Sequence, residues 1–327
     1  MEEFLSGYGL FLLELLTVAV VVVAAVLLVM SAARKPREFD QLTIEHINKS
    51  LTRRADAARR QILGKRDAQK LVRKRKKQEK RRTKEESTGS SRKRIFVIDF
   101  KGDIRATATA SLREEVSAVL ELVQPGDEVL LRLENAGGAV HEHGLAASQL
   151  LRLRARGIPL TVAVDKVAAS GGYLMACAAD RIIAAPFAVI GSIGVLLQLP
   201  NFHRLLEEKG IDFEMITAGK FKRTLTLFGE NTEEDREKMK QELTEVHELF
   251  KQRIRELRPD INLDEVATGE HWYGSKALDL KLIDEIGTSD DFLLAAVESA
   301  DLYKISYRRH KRFLERVLQG AEGALYR

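Results

Sequence analysis

The chain has 327 residues, 45% of them hydrophobic, and one cysteine, Cys177, so it can form a sizeable core and no intramolecular disulfide. Its net charge is +5, but residues 41–94 hold twenty basic and six acidic side chains, whereas residues 95–327 hold thirty and thirty-seven. A nucleic-acid-binding domain carries its positive charge on the folded surface, so this distribution excludes nucleic acid from the expected partners.

The first predicted element is an apolar helix. Residues 15–33 form an uncharged run of nineteen residues, and together with residues 9–13 the run is long enough to cross a hydrocarbon core of roughly 30 Å. The residues before it are acidic, whereas a cleavable signal peptide begins with basic residues. We therefore expect residues 1–40 to hold an uncleaved transmembrane anchor at about 9–33, in contact with membrane lipid.

The charges beside the anchor indicate its orientation. Residues 1–9 contain no Lys or Arg, whereas several basic residues, starting at Arg34, follow the span closely. The positive-inside rule then predicts a single-pass protein of a bacterial-type plasma (inner) membrane with its later residues in the cytoplasm.

Residues 41–94 are predicted to be a basic linker, partly helical or disordered. Residues 73–84 are too uniformly positive to pack, and the segment ends in a flexible Ser- and Gly-containing stretch. On the cytoplasmic side, the linker would also contact anionic headgroups.

From residue 95 onward, predicted strands alternate with predicted helices. This alternation is typical of an α/β domain with a mostly parallel sheet, which we place at residues 95–287. A long helical arm is expected at about 231–258 with Thr232 as its N-cap, and residues 288–327 are expected to form a helical, basic tail. The expected strands are 95–100, 127–133, 159–164 and 212–216, and the expected helices are 111–123, 143–154 and 174–179.

Two of the strands are followed by glycine pairs that precede helices. The strand 127–133 leads into a turn with Gly137-Gly138, and the turn with Ser170-Gly171-Gly172 lies between the strand 159–164 and the helix 174–179. A serine on such a turn can be a nucleophile, and the N–H groups of Gly138 and Gly171 would together supply the two donors that stabilise an oxyanion. Alternatively, Ser170 only caps the helix and the glycines only permit a tight turn.

A nucleophilic serine also needs a base, and the residues offer two kinds. His141 and His143 follow the first glycine pair, but no acidic residue stands out to orient either of them. Lys222 follows a predicted strand, and a lysine acts as a base only where burial or a positive neighbour keeps it neutral. Taken singly, the histidines fit an exposed helix start, and Lys222 fits an ordinary surface position.

Four motifs in a fixed order carry a family resemblance. They are Ser170-Gly171-Gly172-Tyr173, Gly191-Ser192-Ile193-Gly194-Val195, Ala218-Gly219-Lys220-Phe221-Lys222, and Gly274-Ser275-Lys276-Ala277 followed by Leu282-Ile283-Asp284-Glu285-Ile286-Gly287. This set resembles the signal peptide peptidase A family of serine proteases (peptidase family S49). The anchor, the basic segment and the length are most similar to its SohB branch.

The resemblance implies a ClpP/crotonase-like fold of repeated strand-turn-helix units and a Ser-Lys dyad. Ser170 would be the nucleophile and Lys222 the general base. Gly138 and Gly171 would form the oxyanion hole, and Ser192 would hydrogen-bond the base lysine. No cofactor or metal is expected.

The implied function is that of a membrane-anchored serine endopeptidase that hydrolyses membrane-associated peptides or unfolded protein segments. Single-repeat members of the family form rings in which serine and lysine come from adjacent protomers, so we expect a ring-shaped homo-oligomer. Some members act on the outer face of the membrane, which leaves a periplasmic location open.

The chain departs from the family pattern at one point. Asn135-Ala136 replaces the usual Ser-Pro before the upstream glycine pair. The missing proline no longer restricts φ, so the rigidity of this turn is in question.

Two other functions remain open. One is a different acyl chemistry on the same fold, such as a ClpP-like Ser-His hydrolase or a crotonase-like acyl-CoA enzyme. The other is a non-catalytic scaffold that organises membrane partners.

Overall fold

The computed structural model describes residues 15–23, 41–64, 66, 67, 69–74, 77 and 92–308. Residues 42–307 form one compact unit, and residues 1–41 with 308–327 are assigned to another. Of the second unit, residues 15–23 are helical. No helix in the described ranges is long and apolar enough to cross a membrane. Most of the expected anchor, residues 9–33, lies outside those ranges.

The compact unit is built on a seven-stranded sheet with the order β1-β10-β2-β3-β4-β6-β9. The pairs from β10 to β9 are all parallel. The α/β class expected from the alternation of elements is therefore confirmed. The strands are Gln41–His46 (β1), Lys93–Lys101 (β2), Glu128–Glu134 (β3), Leu160–Val164 (β4), Arg181–Ala184 (β6), Glu285–Ile286 (β9) and Ala300–Arg308 (β10).

A smaller, three-stranded sheet lies beside the end of β3. Its order is β5-β7-β8, with β5 parallel to β7 and β7 antiparallel to β8. An isolated parallel bridge between Asn135 and Ala168 connects the residue after β3 with β5. The strands are Val167–Ala169 (β5), Val189–Gly191 (β7) and His271–Tyr273 (β8).

Helices cover both faces of the large sheet, as parallel sheets require. Along β2, Phe96, Ile98 and Phe100 contribute to the main core, whereas Ile95 and Val97 contribute to a second core on the opposite face. The helices are Ile47–Ile62 (α1), Thr109–Leu122 (α2), Val140–Ala155 (α3), Gly171–Cys177 (α4), His203–Glu208 (α5), Glu233–Leu257 (α6), Leu263–Val266 (α7), Gly274–Asp279 (α8) and Ser289–Ser299 (α9).

The expected helical arm is present as α6. The Thr232 hydroxyl accepts a hydrogen bond from the Asp235 N–H, and the Asp235 carboxylate accepts one from the Thr232 N–H, which forms a complete capping box. At the other end, the Arg258 guanidinium makes two hydrogen bonds of 2.8 and 2.7 Å with the Asp284 carboxylate. The capping box stabilises the first turn of the arm, and the Arg258–Asp284 pair ties its C-terminal end to the residue before β9.

The expected strand at residues 212–216 is wrong. Residues 211–217 have no regular structure, and their side chains are exposed. A strand requires a neighbouring ladder for its N–H and C=O groups, and none of the described strands pairs with this segment.

Two segments outside the expected protease domain also contribute to the sheet. Residues 41–64, which the sequence analysis assigned to the linker, form β1 and α1. Residues 300–308, within the expected tail, form β10 between β1 and β2. Asn48 joins these two segments, because its Oδ1 accepts from the Leu302 N–H at 2.7 Å and its Nδ2 donates to the Ala300 carbonyl at 2.9 Å.

Candidate active site

Ser170 lies on a strained turn between β5 and α4. Its φ of 51° and ψ of −122° are unusual for a residue other than glycine and cost on the order of 1–3 kcal/mol. Its N–H donates to the Gly191 carbonyl at 2.7 Å, which fixes the turn against β7. Strain of this kind persists only where the surroundings impose it, and it is common at catalytic serines.

The two residues after Ser170 must be glycines because of close packing. A Cβ on Gly171 would lie 2.5 Å from the His143 Cβ, and a Cβ on Gly172 would lie 2.1 Å from the Asn135 carbonyl oxygen. The sequence analysis offered only a tight turn as the ordinary reason for these glycines. In the structure, α4 also packs directly against Asn135, the residue that follows β3.

The two glycine turns lie against each other. A Cβ on Gly137, which has a φ of 90°, would lie 2.8 Å from the Ser170 Cβ and 3.0 Å from the Gly171 nitrogen. Gly138 packs on the other side of this turn, where its Cβ would lie 2.2 Å from the Ile104 oxygen. The upstream glycine turn is therefore in direct contact with the nucleophile turn.

The N–H groups of these turns are not equivalent. The Gly137 N–H donates to Asn135 Oδ1 at 2.9 Å and is therefore engaged. Gly171 is the first residue of α4, so its N–H has no acceptor within the helix. This leaves Gly138 and Gly171 as the candidates for the oxyanion hole.

Ser192 lies beside Ser170 by strand register. Ala169 pairs with Gly191 in the parallel β5–β7 ladder, so the residue after each strand occupies the next position. Ser192 also has a φ of 51°, its N–H donates to the Glu270 carbonyl at 2.7 Å, and its Oγ lies 3.4 Å from the Gly269 carbonyl.

Lys222 lies on an exposed segment without regular structure. Its N–H donates to the Gly219 carbonyl at 3.1 Å, and no hydrogen bond within residues 92–308 joins its side chain to Ser170. The nearby Lys220 is engaged differently, since its ammonium lies 2.5 Å from the Glu234 carboxylate and 5.1 Å from the Phe221 ring centre. The described protomer therefore brings Ser170, Ser192 and the glycines together, but it does not connect Lys222 to them.

The two candidate histidines have different surroundings. His141 is exposed, with its Nε2 3.7 Å from a Glu142 oxygen. His143 is fully buried, and its Nδ1 and Nε2 lie 3.0 Å from the Ala139 carbonyl oxygen and 3.2 Å from Asn135 Oδ1. Both ring nitrogens of His143 thus face acceptors other than Ser170, which gives no support to a Ser-His pair.

The lone cysteine, Cys177, is the last residue of α4, the helix that follows Ser170. Burial raises the pKa of the Cys177 thiol to about 12, so the thiol remains protonated and unreactive at neutral pH. Burial likewise raises the pKa of Tyr173, whose hydroxyl donates to the Leu282 carbonyl at 2.8 Å. These two buried side chains pack α4 against the main core.

Sequence reasoning gave too little weight to Asn135. This residue is only 1% exposed and contacts both glycine turns. The available signal was an asparagine at a strand end, two residues before the first glycine of a pair, a position where its side chain commonly hydrogen-bonds the backbone two residues on.

Comparison with known proteins identifies the family of this chain. Two family models match nearly the whole chain, the N-terminal model of peptidase family S49 over residues 3–150 and the peptidase family S49 model over residues 152–303. The chain belongs to peptidase family S49. This S49 chain is 45% identical to the probable protease SohB of Haemophilus influenzae over 98% of its own length and 94% of the relative's.

A second relative and a solved structure extend the comparison. The probable protease SohB of Buchnera aphidicola subsp. Acyrthosiphon pisum is 56% identical, covering 69% of this chain and 68% of the relative. A mutant of 1510-N, a membrane-bound stomatin-specific protease in complex with a substrate peptide, is 12% identical with a TM-score of 0.45, covering 70% of this chain and 97% of the other. The family assignment and the SohB relatives make the protein a serine-type peptidase of the SohB branch.

Proposed function

We propose that this peptidase is a membrane-anchored endopeptidase in which Ser170 and Lys222 form a Ser-Lys dyad. The single observation that carries the proposal is the strained Ser170 turn in direct contact with the upstream glycine turn. Its substrates are membrane-associated peptides or unfolded protein segments, since an exposed chain is required to enter a site of this kind.

The chemistry proceeds through an acyl-enzyme. Neutral Lys222 accepts the Ser170 hydroxyl proton as Oγ bonds to the peptide carbonyl carbon, and the N–H groups of Gly138 and Gly171 bind the resulting oxyanion. The lysinium then protonates the leaving amine as the C–N bond breaks. In the second half, Lys222 takes a proton from water as the water oxygen bonds to the ester carbon. The lysinium then returns the proton to Ser170 Oγ as the ester C–O bond breaks, which releases the acid and regenerates both groups.

Ser192 is proposed to orient the base. What supports this role is the strand register, which places Ser192 next to Ser170 with its backbone fixed by the Glu270 carbonyl. A hydroxyl at this position can accept a hydrogen bond from the lysine and keep its nitrogen directed toward Ser170.

Lys222 is proposed to reach Ser170 across an interface in a ring of identical chains. The support is a run of exposed large apolar side chains between residues 187 and 228, since a cluster of such side chains is typical of an interaction surface. It includes Phe187, Leu196, Ile211, Ile216, Phe221 and Phe228. A second copy that covers this run would also desolvate Lys222, which favours the neutral lysine that the mechanism needs.

The anchor and its orientation are supported by sequence alone. The uncharged run at residues 15–33 and the basic residues that follow it favour a single-pass protein of the plasma membrane with a cytoplasmic protease domain. A periplasmic domain is the alternative, and protease accessibility of the domain in spheroplasts distinguishes the two.

The test is cleavage of an unfolded protein by the detergent-solubilised full chain across pH. Ser170→Ala and Lys222→Ala should each lower kcat at least about a thousandfold, since the two groups act as one unit. Lys220→Ala is the matched control and should stay active. The wild-type rate should rise with pH as the essential base deprotonates, and activity that persists without Lys222 would rule out the dyad.

A further inference from the structure

Asn135 lies where the two glycine turns meet. Its side-chain Oδ1 accepts from the Gly137 N–H at 2.9 Å. Its backbone carbonyl accepts from the Ala169 N–H at 3.0 Å, and its N–H donates to the Val167 carbonyl at 2.9 Å. One buried residue thus holds the upstream turn through its side chain and the nucleophile strand through its backbone.

The orientation of the Asn135 amide follows from its neighbours. Because the Gly137 N–H is a donor, the amide oxygen must face it, and the amide nitrogen then lies 3.2 Å from the Met175 sulfur. The same oxygen lies 3.2 Å from His143 Nε2. The ring's Nδ1 also faces an acceptor, the Ala139 carbonyl oxygen at 3.0 Å, and a neutral imidazole donates from one nitrogen only. We assign the proton to Nε2, which makes His143 a donor to Asn135.

His143 is itself held on both sides. Its ring is fully buried. A Cβ on Gly171 would lie 2.5 Å from the His143 Cβ and 2.6 Å from the His143 Cγ. The imidazole therefore packs directly beneath the residue after the nucleophile and reaches across to Asn135. Together the two side chains bridge both halves of the candidate oxyanion hole.

We propose that Asn135 and His143 form a buried positioning pair that holds the upstream turn so that the Gly138 N–H stays directed at the oxyanion. This inference rests on the proposed function. Ala136 leaves φ unrestricted at this turn, and the hydrogen bond to Oδ1 supplies the constraint that a proline would otherwise provide. His143 in turn holds the Oδ1 in place, and it does so without exchanging a proton with Ser170.

The test uses two matched pairs of variants. His143→Gln keeps an amide N–H near the Nε2 position and cannot act as a base at neutral pH, whereas His143→Leu removes the donor at similar volume. Asn135→Asp keeps an oxygen acceptor for both donors, whereas Asn135→Leu removes it. Each variant is purified as the full chain, and kcat and KM are measured with an unfolded protein substrate.

Both leucine variants should lower kcat about 10- to 100-fold with little change in KM, less than the hundred- to thousandfold typical of deleting an oxyanion donor. Neither side chain reaches solvent, so peptide binding should be unaffected. His143→Gln and Asn135→Asp should each recover most of the lost kcat. A wild-type kcat in His143→Leu would overturn the proposal, as would equal loss in His143→Gln and His143→Leu, which would indicate that the ring acts as the base.

Amide hydrogen exchange provides a readout that does not depend on activity. Exchange across residues 135–139 should accelerate in His143→Leu and remain slow in His143→Gln, whether or not the substrate is cleaved. Unchanged amide exchange rates in both leucine variants would overturn the proposal that Asn135 and His143 hold this turn. If the exchange follows this pattern while Ser170→Ala cleaves as well as wild type, the proposed function fails and the structural role of the pair stands.

Discussion

The segment that carries Ser170 and the segment that carries Lys222 differ in how much of them the chain itself covers. Around Ser170, the turn is held by hydrogen bonds and close packing with β5, β7, α4 and the upstream glycine turn. Around Lys222, residues 211–223 lack helix and strand, and their side chains are exposed. One half of the proposed dyad is therefore built by one chain, and the other half requires a second surface to become ordered and desolvated.

The largest expected effect tests whether the two halves come from different chains. Ser170→Ala and Lys222→Ala, each inactive alone, should regain activity when differently tagged copies are co-expressed and purified through both tags. Random mixing in a ring places an intact serine against an intact lysine at about a quarter of the sites. Complete inactivity of mixed rings would mean that Ser170 and Lys222 of each site come from the same protomer. The Lys222 segment would then not require a second chain.

A second prediction concerns the dense packing around Ser170. Gly172→Ala should destabilise the protein by about 3 kcal/mol or more, because the new Cβ would lie 2.1 Å from a backbone oxygen. Gly144→Ala is the matched control, since Gly144 lies within α3 and a Cβ there would meet nothing within 4 Å. It should stabilise the helix by about 0.5–1 kcal/mol. Chemical denaturation of both variants measures the difference.

A third prediction concerns the buried carboxyl group of Glu115 and the pH dependence of the unfolding free energy. Burial raises the pKa of Glu115 to about 7, and its Oε1 accepts from the Tyr307 N–H at 2.7 Å. The folded state keeps the Glu115 carboxyl proton up to about pH 7, whereas the unfolded chain releases it near pH 4.5. The stability that the neutral carboxyl contributes is therefore fully present below pH 4.5 and is lost as the pH rises through 7.

The variant that isolates this contribution is Glu115→Gln, which keeps an acceptor for Tyr307 and does not ionise. Relative to the variant, the wild type should lose on the order of 3 kcal/mol of unfolding free energy between pH 4.5 and pH 8. Urea denaturation of both proteins at a series of pH values provides the measurement. Parallel curves for the two proteins would show that Glu115 ionises normally in the folded state.

The smallest expected effect on folding comes from a substitution in the exposed segment that carries Lys222. Ile216 is 96% exposed, so Ile216→Ser should change the unfolding free energy of a protomer by no more than about 0.5 kcal/mol. It should nevertheless weaken self-association in analytical ultracentrifugation. Ile62→Ser is the control, because Ile62 is 79% exposed at the end of α1, away from the apolar run, and should leave assembly unchanged. Equal behaviour of the two variants would mean that the apolar run is not an interface.

The sequence analysis anticipated the elements that depend on local pattern. The α6 arm began at the expected Thr232 cap, and β3 and β4 were placed within one residue. The short strand β5, which leads into Ser170, was not predicted. The strand expected at 212–216 was wrong because its alternation has no neighbouring strand in the described chain. β10 was missed because its place in the sheet depends on pairing with β2, some two hundred residues away.

By itself, the sequence determined the order of the motifs and hence the peptidase family, and it singled out Ser170 and the glycines around it. Glycine pairs at strand ends and a capped amphipathic arm are local signals, since their physical requirements are met within a few residues. Only the tertiary structure decided that Asn135 and His143 bridge the two turns, that β1 and β10 complete the sheet, and that Lys222 remains uncovered. Each of these depends on which distant surfaces meet, and sequence periodicity does not encode that choice.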